Sequence, residues 1–216
     1  MKHTLTATVL ALGLTTSALA SAQEINRKGT MIFSAERLMG FSFSHMSREN
    51  PDPPGGDTDQ DWTNFGFGWR ANVNGAVSPF DIPRIGFDYM IIDKLSLGGS
   101  LGYASVSLDD PDNSGAIFQI APRVGYLHSF SKVISIWPRG GLTYHSLSTD
   151  PGDNSENGFA LSVECPFTFS PTEHFAFHVG PTFDIDMFGN FDPGDAPDRS
   201  QHWRSIGITG GLLGWF

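Results

Sequence analysis

The sequence of 216 residues predicts an all-β fold, an eight-stranded antiparallel up-and-down transmembrane β-barrel. Three observations predict it. Apolar and small polar residues alternate with a period of two along most of the chain, the spacing of a strand and not of an amphipathic helix. Short and long connections follow one another in turn. Charged residues make up only 17% of the chain, beside 18 Phe and 25 Gly, against about 25% charge in ordinary soluble domains. Lysine is scarce after residue 22, with Lys28, Lys94 and Lys132 each beside a turn or terminus. A soluble β-protein would spread Lys and Glu over its solvent-facing strand positions. A net charge of −10 argues against nucleic acid as a partner.

Residues 1–22 read as a secretory signal peptide. Lys2 and His3 precede an uncharged, mostly apolar run, and Ala20-Ser21-Ala22 supplies a small-x-small cleavage site, so Gln23 is the expected mature start. The run is short, diluted by Thr and Ser, and followed by no basic stop-transfer cluster, which argues against a membrane anchor. No cysteine stands at the cleavage point for lipid attachment, and Cys165 is the only cysteine, so no internal disulfide forms.

Residues 23–29 form a short lead, and 30–216 form the barrel. The first strand covers 30–46, with Phe33, Phe41 and Phe43 on one face and Ser34, Glu36, Gly40, Ser42 and Ser44 on the other. A long first loop, 47–83, is polar and turn-rich, then aromatic and glycine-rich. Reading 62–74 as a further spanning strand would give nine, an odd number that single-chain bacterial barrels avoid. The remaining strands are 84–92, 95–108, 116–127, 133–148, 159–169, 174–188 and 202–216. Connections 93–94, 128–132 and 170–173 are short; 109–115, 149–158 and 189–201 are long and rich in Asp, Pro, Gly and Asn. Both termini then lie at the short-turn end. In the last strand Ile206, Ile208, Leu212 and Phe216 oppose Ser205, Gly207, Thr209 and Gly211.

Nearly every strand supplies a full row of bulky apolar residues, such as Phe118, Ile120, Val124 and Tyr126, opposite Gln119, Ala121, Arg123 and Gly125. An eight-stranded lumen holds few large side chains. The bulky rows therefore belong outside, against lipid, and the small and charged residues inside. Tyr126, Phe130, Phe167, Phe169, Phe175, Trp215 and Phe216 gather near the short-turn end, where an interfacial aromatic girdle would lie.

The signal peptide, the eight alternating strands, the alternating connections and the terminal Phe216 resemble the small eight-stranded bacterial outer-membrane barrels of the OmpA transmembrane-domain and OmpX type. The resemblance covers nearly the whole mature chain and lies in architecture, not in a catalytic motif. The terminal aromatic-x-Phe of such barrels is matched in part, because Gly214 stands two before Phe216. It implies residence in the outer membrane after signal-peptide cleavage, among outer-membrane lipid and lipopolysaccharide. It also implies delivery to the barrel-assembly machinery through the C-terminal strand, with Phe216 as the signal, and a monomer. No peptidoglycan-binding domain is expected after the barrel, so wall anchoring is not expected to carry over. The expected role is structural, or surface interaction through the acidic external loops. A narrow porin-like channel for ions or small molecules is the alternative, and a lipid-modifying enzyme the third reading. No enzyme activity and no cofactor are expected.

A phrase recurs within the wall: Pro83-Arg84-Ile85-Gly86, Pro122-Arg123-Val124-Gly125 and Pro138-Arg139-Gly140-Gly141. Each arginine falls on the polar face, with a glycine two residues on to leave it space. The expected lumen ion-pair network comprises Glu36, Arg84, Asp88, Arg123, Arg139, Glu164, His178, Asp184 and Asp186. Arg139 with Glu164 is the best single pair, since their strands are consecutive and their heights match. Burying such charges costs several kcal/mol per ion unless each is paired.

Two features resist strict alternation. Pro122, Pro138, Pro166 and Pro181 fall inside strands, where each removes a ladder hydrogen bond, and bulges are expected there. Arg37 would point at lipid, at about 2–4 kcal/mol near mid-membrane; a register shift beside Glu36 would turn it inward but would also turn Phe41 and Phe43. Neither Tyr144-His145-Ser146 nor the inward His178 assembles a nucleophile, base and orienting group, because adjacent strand residues face opposite ways. Asp109, Asp110, Asp112, Asp150, Asp153, Asp192, Asp195 and Asp198 share the long-loop end as weak cation candidates. No loop has EF-hand spacing, and such residues are also ordinary turn formers.

Overall fold

The computed structural model describes residues 25–49, 57–68, 78–107, 114–150, 154–194 and 197–216. The signal-peptide reading falls on residues outside these. Twelve strands form one antiparallel sheet: β1 (Met31–Arg48), β2 (Thr58–Phe67), β3 (Arg84–Ile92), β4 (Leu95–Ser107), β5 (Ser114–Tyr126), β6 (His128–Ser129), β7 (Ile134–Ile136), β8 (Arg139–Asp150), β9 (Asn154–Glu164), β10 (Phe167–Phe169), β11 (Phe175–Asp192) and β12 (Arg199–Trp215). They fill eight positions of a closed barrel. β2 with β3, β5 with β6, β7 with β8 and β9 with β10 each share one position, and β12 pairs with β1 to close the ring. No helix among the described residues is long and apolar enough to cross a membrane; strands form the wall.

The alternation sorts as expected. Phe33, Phe87, Leu97, Phe118, Val124, Leu161, Phe177, Ile206 and Ile208 are exposed on the outside, while Ser34, Asp88, Gln119, Arg123, Ser162, His178 and Ser205 are buried within. A continuous apolar outside on a closed barrel is the surface that a hydrocarbon solvent requires, since closure leaves no unpaired edge. Several strands reach further than the alternation indicated. β5 begins at Ser114, β9 at Asn154, and β11 ends at Asp192, so residues read as loop continue the wall beyond the apolar belt.

The segment read as one long first loop contains β2, yet the count stays at eight. β2 pairs with the outer part of β1, from Met39↔Phe67 to Arg48↔Thr58, and β3 with the inner part, from Met31↔Tyr89 to Glu36↔Arg84. Both descend along the same edge of β1. Two residues opposite Leu38 and Arg37 would join Phe67 to Arg84 in register, whereas residues 68–83 number sixteen. Part of this excess enters the lumen as a 3-10 turn, Pro79–Asp81, with Phe80 and Ile82 fully buried. The Arg37 side chain donates to Phe80 O and the Gln119 amide to Pro79 O, while Asp81 Oδ2 accepts from Asn64 Nδ2 at 2.8 Å and Ser44 Oγ at 3.3 Å.

Arg37 is explained at the same place. Between Ala35↔Leu212 and Met39↔Gly210, three residues of β1 stand against Gly211 alone. Two extra residues, not one, restore the period of two. Glu36 and Arg37 are therefore both buried while Phe41 and Phe43 stay outside, with Arg37 at φ 53°. A Cβ on Gly211 would stand 2.1 Å from Ala35 O and 2.7 Å from His178 Nε2. Gly211→Val is expected to abolish closure of β1 on β12. Refolding in detergent followed by gel mobility with and without boiling checks this: the compact unboiled band disappears.

The bulges expected at the prolines are absent; the register shifts lie at Ala35/Met39, Met90/Ile92, Asp186/Phe188 and Ile185/Asn190. Pro138 and Pro166 fall in the breaks between β7 and β8 and between β9 and β10, and pairing resumes in the same register beyond them. Proline lacks a donor but keeps its acceptor. Tyr126 N donates to Pro138 O at 2.8 Å, Trp137 N to Pro166 O at 2.9 Å and Cys165 N to Pro181 O at 3.0 Å. Neighbouring strands thus stay tied through carbonyls, with no inserted residue.

Candidate functional site

Three layers fill the lumen. At the short-turn end lies an apolar floor of Ile25, Ile32, Met90, Leu127, Trp137, Ala176, Leu213 and Trp215. Towards the long-loop end lies an apolar lid of Met46, Phe80, Ala160 and Trp203, with Trp62 packed on it. Between them stand the buried charges.

Seven of these alternate in sign in one chain of contacts: Asp88, Arg123, Glu36, Arg139, Glu164, Arg37, Asp184. Arg123 Nε donates to Asp88 Oδ1 at 3.2 Å, and its two terminal nitrogens grip both oxygens of Glu36 at 2.7 Å. Arg139 Nη1 lies 2.9 Å from Glu36 Oε1 and Nη2 lies 2.8 Å from Glu164 Oε2. Arg37 Nη2 reaches Glu164 Oε1 at 2.9 Å and Asp184 Oδ2 at 3.0 Å. Hydroxyls complete the carboxylates, with Ser34 Oγ on Glu36 Oε1 and Ser162 Oγ on Asp184 Oδ1, both at 2.6 Å. Such bidentate, charge-assisted bonds offset the desolvation of both partners.

The sequence-predicted residues thus divide. Glu36, Asp88, Arg123, Arg139, Glu164 and Asp184 come together. Asp186 is buried but sits higher, against His145 at 2.9 Å. Arg84 and His178 are buried beside the chain without joining it: Arg84 Nε and Nη2 and His178 Nε2 have no hydrogen-bond partner. The chain holds four acids and three arginines, so Arg84 balances its charge without direct contact. It lines a cavity of about 10 Å³ with Arg123, Arg139, Ser162 and Glu164, room for about one water. The repeated glycine makes room for a neighbouring strand, not for its own arginine: a Cβ on Gly86 would stand 2.8 Å from Arg123 Nη2, and one on Gly141 would stand 2.0 Å from Pro122 O.

Sequence reasoning missed Arg37, Asp81, Gln119 and His145. Alternation placed Gln119 on the polar face but gave it no partner, and set His145 opposite to Ser146 without assigning it to the lumen. Asp81 had no pattern at all, lying in a segment read as loop.

The His145–Asp186 pair is the arrangement nearest to an acid–base site. Asp186 Oδ2 also accepts Trp203 N at 2.9 Å, the Phe80 ring stands edge-on to the imidazole at 5.3 Å, and His145 is fully buried. Ser146 follows it on the opposite face of β8. Among the described residues no group of three His, Cys, Asp or Glu is placed to hold a metal ion. Of the acidic loop candidates, Asp109, Asp110, Asp112, Asp153 and Asp195 lie outside the described residues, as does the side chain of Asp150. Asp192 accepts Gly194 N at 2.8 Å and Asp198 accepts Asn190 Nδ2 at 3.1 Å, both local turn contacts.

Closure, an apolar exterior and a charged interior define a transmembrane β-barrel, and a solved structure agrees on the fold. AlkL, determined by solid-state NMR in DMPC lipid bilayers, aligns over 93% of this chain and 95% of its own, at 9% identity and a TM-score of 0.56. The Neisserial surface protein NspA aligns over 87% and 99%, at 13% identity and 0.48. The outer membrane protease OmpT from Escherichia coli aligns over 87% and 96%, at 8% identity and 0.46. No family model matches the sequence, and no curated protein does. The chain has the fold of the small eight-stranded outer-membrane barrels, the architecture that its resemblance to the OmpA and OmpX type implied.

Proposed function

We propose that the protein is a non-conducting barrel whose role lies at its long-loop end, in contact with the cell's surroundings or in envelope integrity. The lumen carries this reading: an apolar floor, an ion-paired belt and an apolar lid stand in series, with Trp137, Glu36 and Phe80 nearly or fully buried at successive levels. Ion passage would have to break charge-assisted bonds in the belt and wet two apolar layers. A lipid-modifying or proteolytic role is disfavoured by the burial of His145 under Phe80. In this reading the barrel is a monomer among outer-membrane lipid and lipopolysaccharide. β12, followed by the exposed Phe216 whose N–H and C=O pair with Met31, is the strand the assembly machinery reads.

Single-channel recording in planar bilayers tests the proposal. The refolded protein is expected to give no discrete conductance steps. Reproducible openings that survive purification to a single species would overturn the non-conducting reading in favour of a narrow channel.

A further inference from the structure

Above the lid, the inner face of the wall carries side chains that the ion belt does not use. Arg48 pairs in register with Gln201, Arg199 with Phe191, and Phe191 with Glu156, so β1, β12, β11 and β9 aim these five residues into one outer mouth. The Arg48 guanidinium lies 3.6 Å over the Phe191 ring, and its Nε donates to Gln201 Oε1. Trp62 stacks on Trp203 with centroids 5.1 Å apart and planes at 25°. Trp203 is buried, and Trp62 stays partly exposed. Glu156 is engaged by the Trp203 indole N–H.

Two features of the mouth point to a ligand. Arg48 lies over the Phe191 ring, Arg199 is the register partner of that same residue, and among the described residues neither has a carboxylate within ion-pair distance, on a chain whose net charge is −10. Two neighbouring guanidinium groups repel, and Glu156, the carboxylate aimed into the same mouth, offsets only one of the two charges. In addition, Arg199 Nε and the side-chain nitrogen of the fully buried Gln201 are donors without a partner. Unmet buried donors are costly, and they invite an acceptor.

We propose that this mouth binds an acidic saccharide, a sugar ring bearing a phosphate or carboxylate, with Trp62 beneath the ring and Arg48, Arg199 and Gln201 on the oxyanion. Guanidinium groups bind both oxyanions bidentately. A partly exposed indole offers an apolar face to the C–H side of a sugar and a polar edge to its hydroxyls. An anion site alone would leave Trp62 without a purpose. Asp192 and Asp198, near the same rim, are held by local turn contacts, so they do not cancel the arginines directly. The proposal rests on the reading that this end of the barrel works outside the membrane.

The test uses the full mature chain refolded in detergent and titrated by calorimetry and tryptophan fluorescence with glucose 6-phosphate, glucuronic acid, glucose and inorganic phosphate. Glucose 6-phosphate and glucuronic acid are expected to bind, and glucose about tenfold more weakly or worse. Arg48→Gln and Arg199→Gln should each weaken binding by about tenfold or more, while Arg204→Gln, on the outer face of β12, leaves it unchanged. Trp62→Leu should weaken the sugar phosphate but not inorganic phosphate. Arginine variants that bind like the parent overturn the proposal, as does silence from all four probes at millimolar concentration. Equal affinity for phosphate and sugar phosphate overturns the saccharide assignment. A heat-modifiable gel shift run on every sample separates loss of the barrel from loss of the site.

Discussion

Glu164→Ala lowers the stability of the refolded barrel by about 3–5 kcal/mol, the effect of stripping one partner from a buried ion pair, and leaves its topology intact. Glu164 is the shared acceptor of Arg37 and Arg139, at 2.9 and 2.8 Å, so its removal strands charge on two strands at once. Arg37 retains Asp184 and Arg139 retains Glu36, which sets the loss below that of two independent pairs. The backbone ladder does not involve the carboxylate, and the compact unboiled band on gels should therefore persist. Urea titration in lipid vesicles reads the difference. Adding Arg139→Met to the alanine variant should recover part of the loss, because it removes one of the stranded cations; that recovery is the signature of pairing and not of a simple cavity. Identical urea midpoints for parent and Glu164→Ala would show that the belt contributes nothing to stability.

That pair was legible in the sequence for a simple reason. Arg139 and Glu164 lie on consecutive strands joined at the long-loop end, and a period of two with no intervening shift carries both inward at one height. The same logic placed Asp88, Arg123 and Asp184. It failed for Arg37, because alternation offers only two faces and a one-residue slip exchanges them. The chain instead inserts two residues opposite Gly211, which no periodicity argument contains. The prolines failed the reading for a related reason. A missing donor suggests a bulge when a strand is considered alone, but Pro138, Pro166 and Pro181 each accept a bond from a neighbour, so the defect is shared across the sheet. The strand ends were read short because Asp, Asn and Gly mark turns in soluble proteins, whereas here Asn154, Ser155 and Asp192 continue the wall above the apolar belt.

The excursion from the second strand position was not legible at all. Residues 62–74 read as loop because Gly and Asn interrupt the aromatic residues, and nothing local says that Phe67 and Arg84 occupy one line of the wall. Only the register on β1 reveals it, with Met39 opposite Phe67 and Glu36 opposite Arg84. The lumen in turn is filled by residues that composition assigned to a loop. Phe80 and Ile82 are fully buried there, and the wall recognises the inserted turn through its carbonyl oxygens, from Arg37 and Gln119.

Shortening the chain so that two residues replace 68–83 is therefore expected to preserve the barrel and open its outer half. The two new residues would pair with Leu38 and Arg37 and make the second strand continuous, which offsets part of what is lost with Phe80 and Ile82, about 1.5–3 kcal/mol for each buried side chain. Arg37 loses Phe80 O but keeps Glu164 and Asp184, so the ion belt stands. Gln119 and His145, both fully buried in the parent, lose their cover and meet water. A cysteine at 119 in a Cys165→Ser background reports this with a bulky water-soluble maleimide. Labelling is expected to pass from negligible in the full-length barrel to complete in the shortened one. Equal protection in both would show that the inserted turn does not close the lumen, and loss of the heat-modifiable band in the shortened chain would show that the wall needs the insert in order to form.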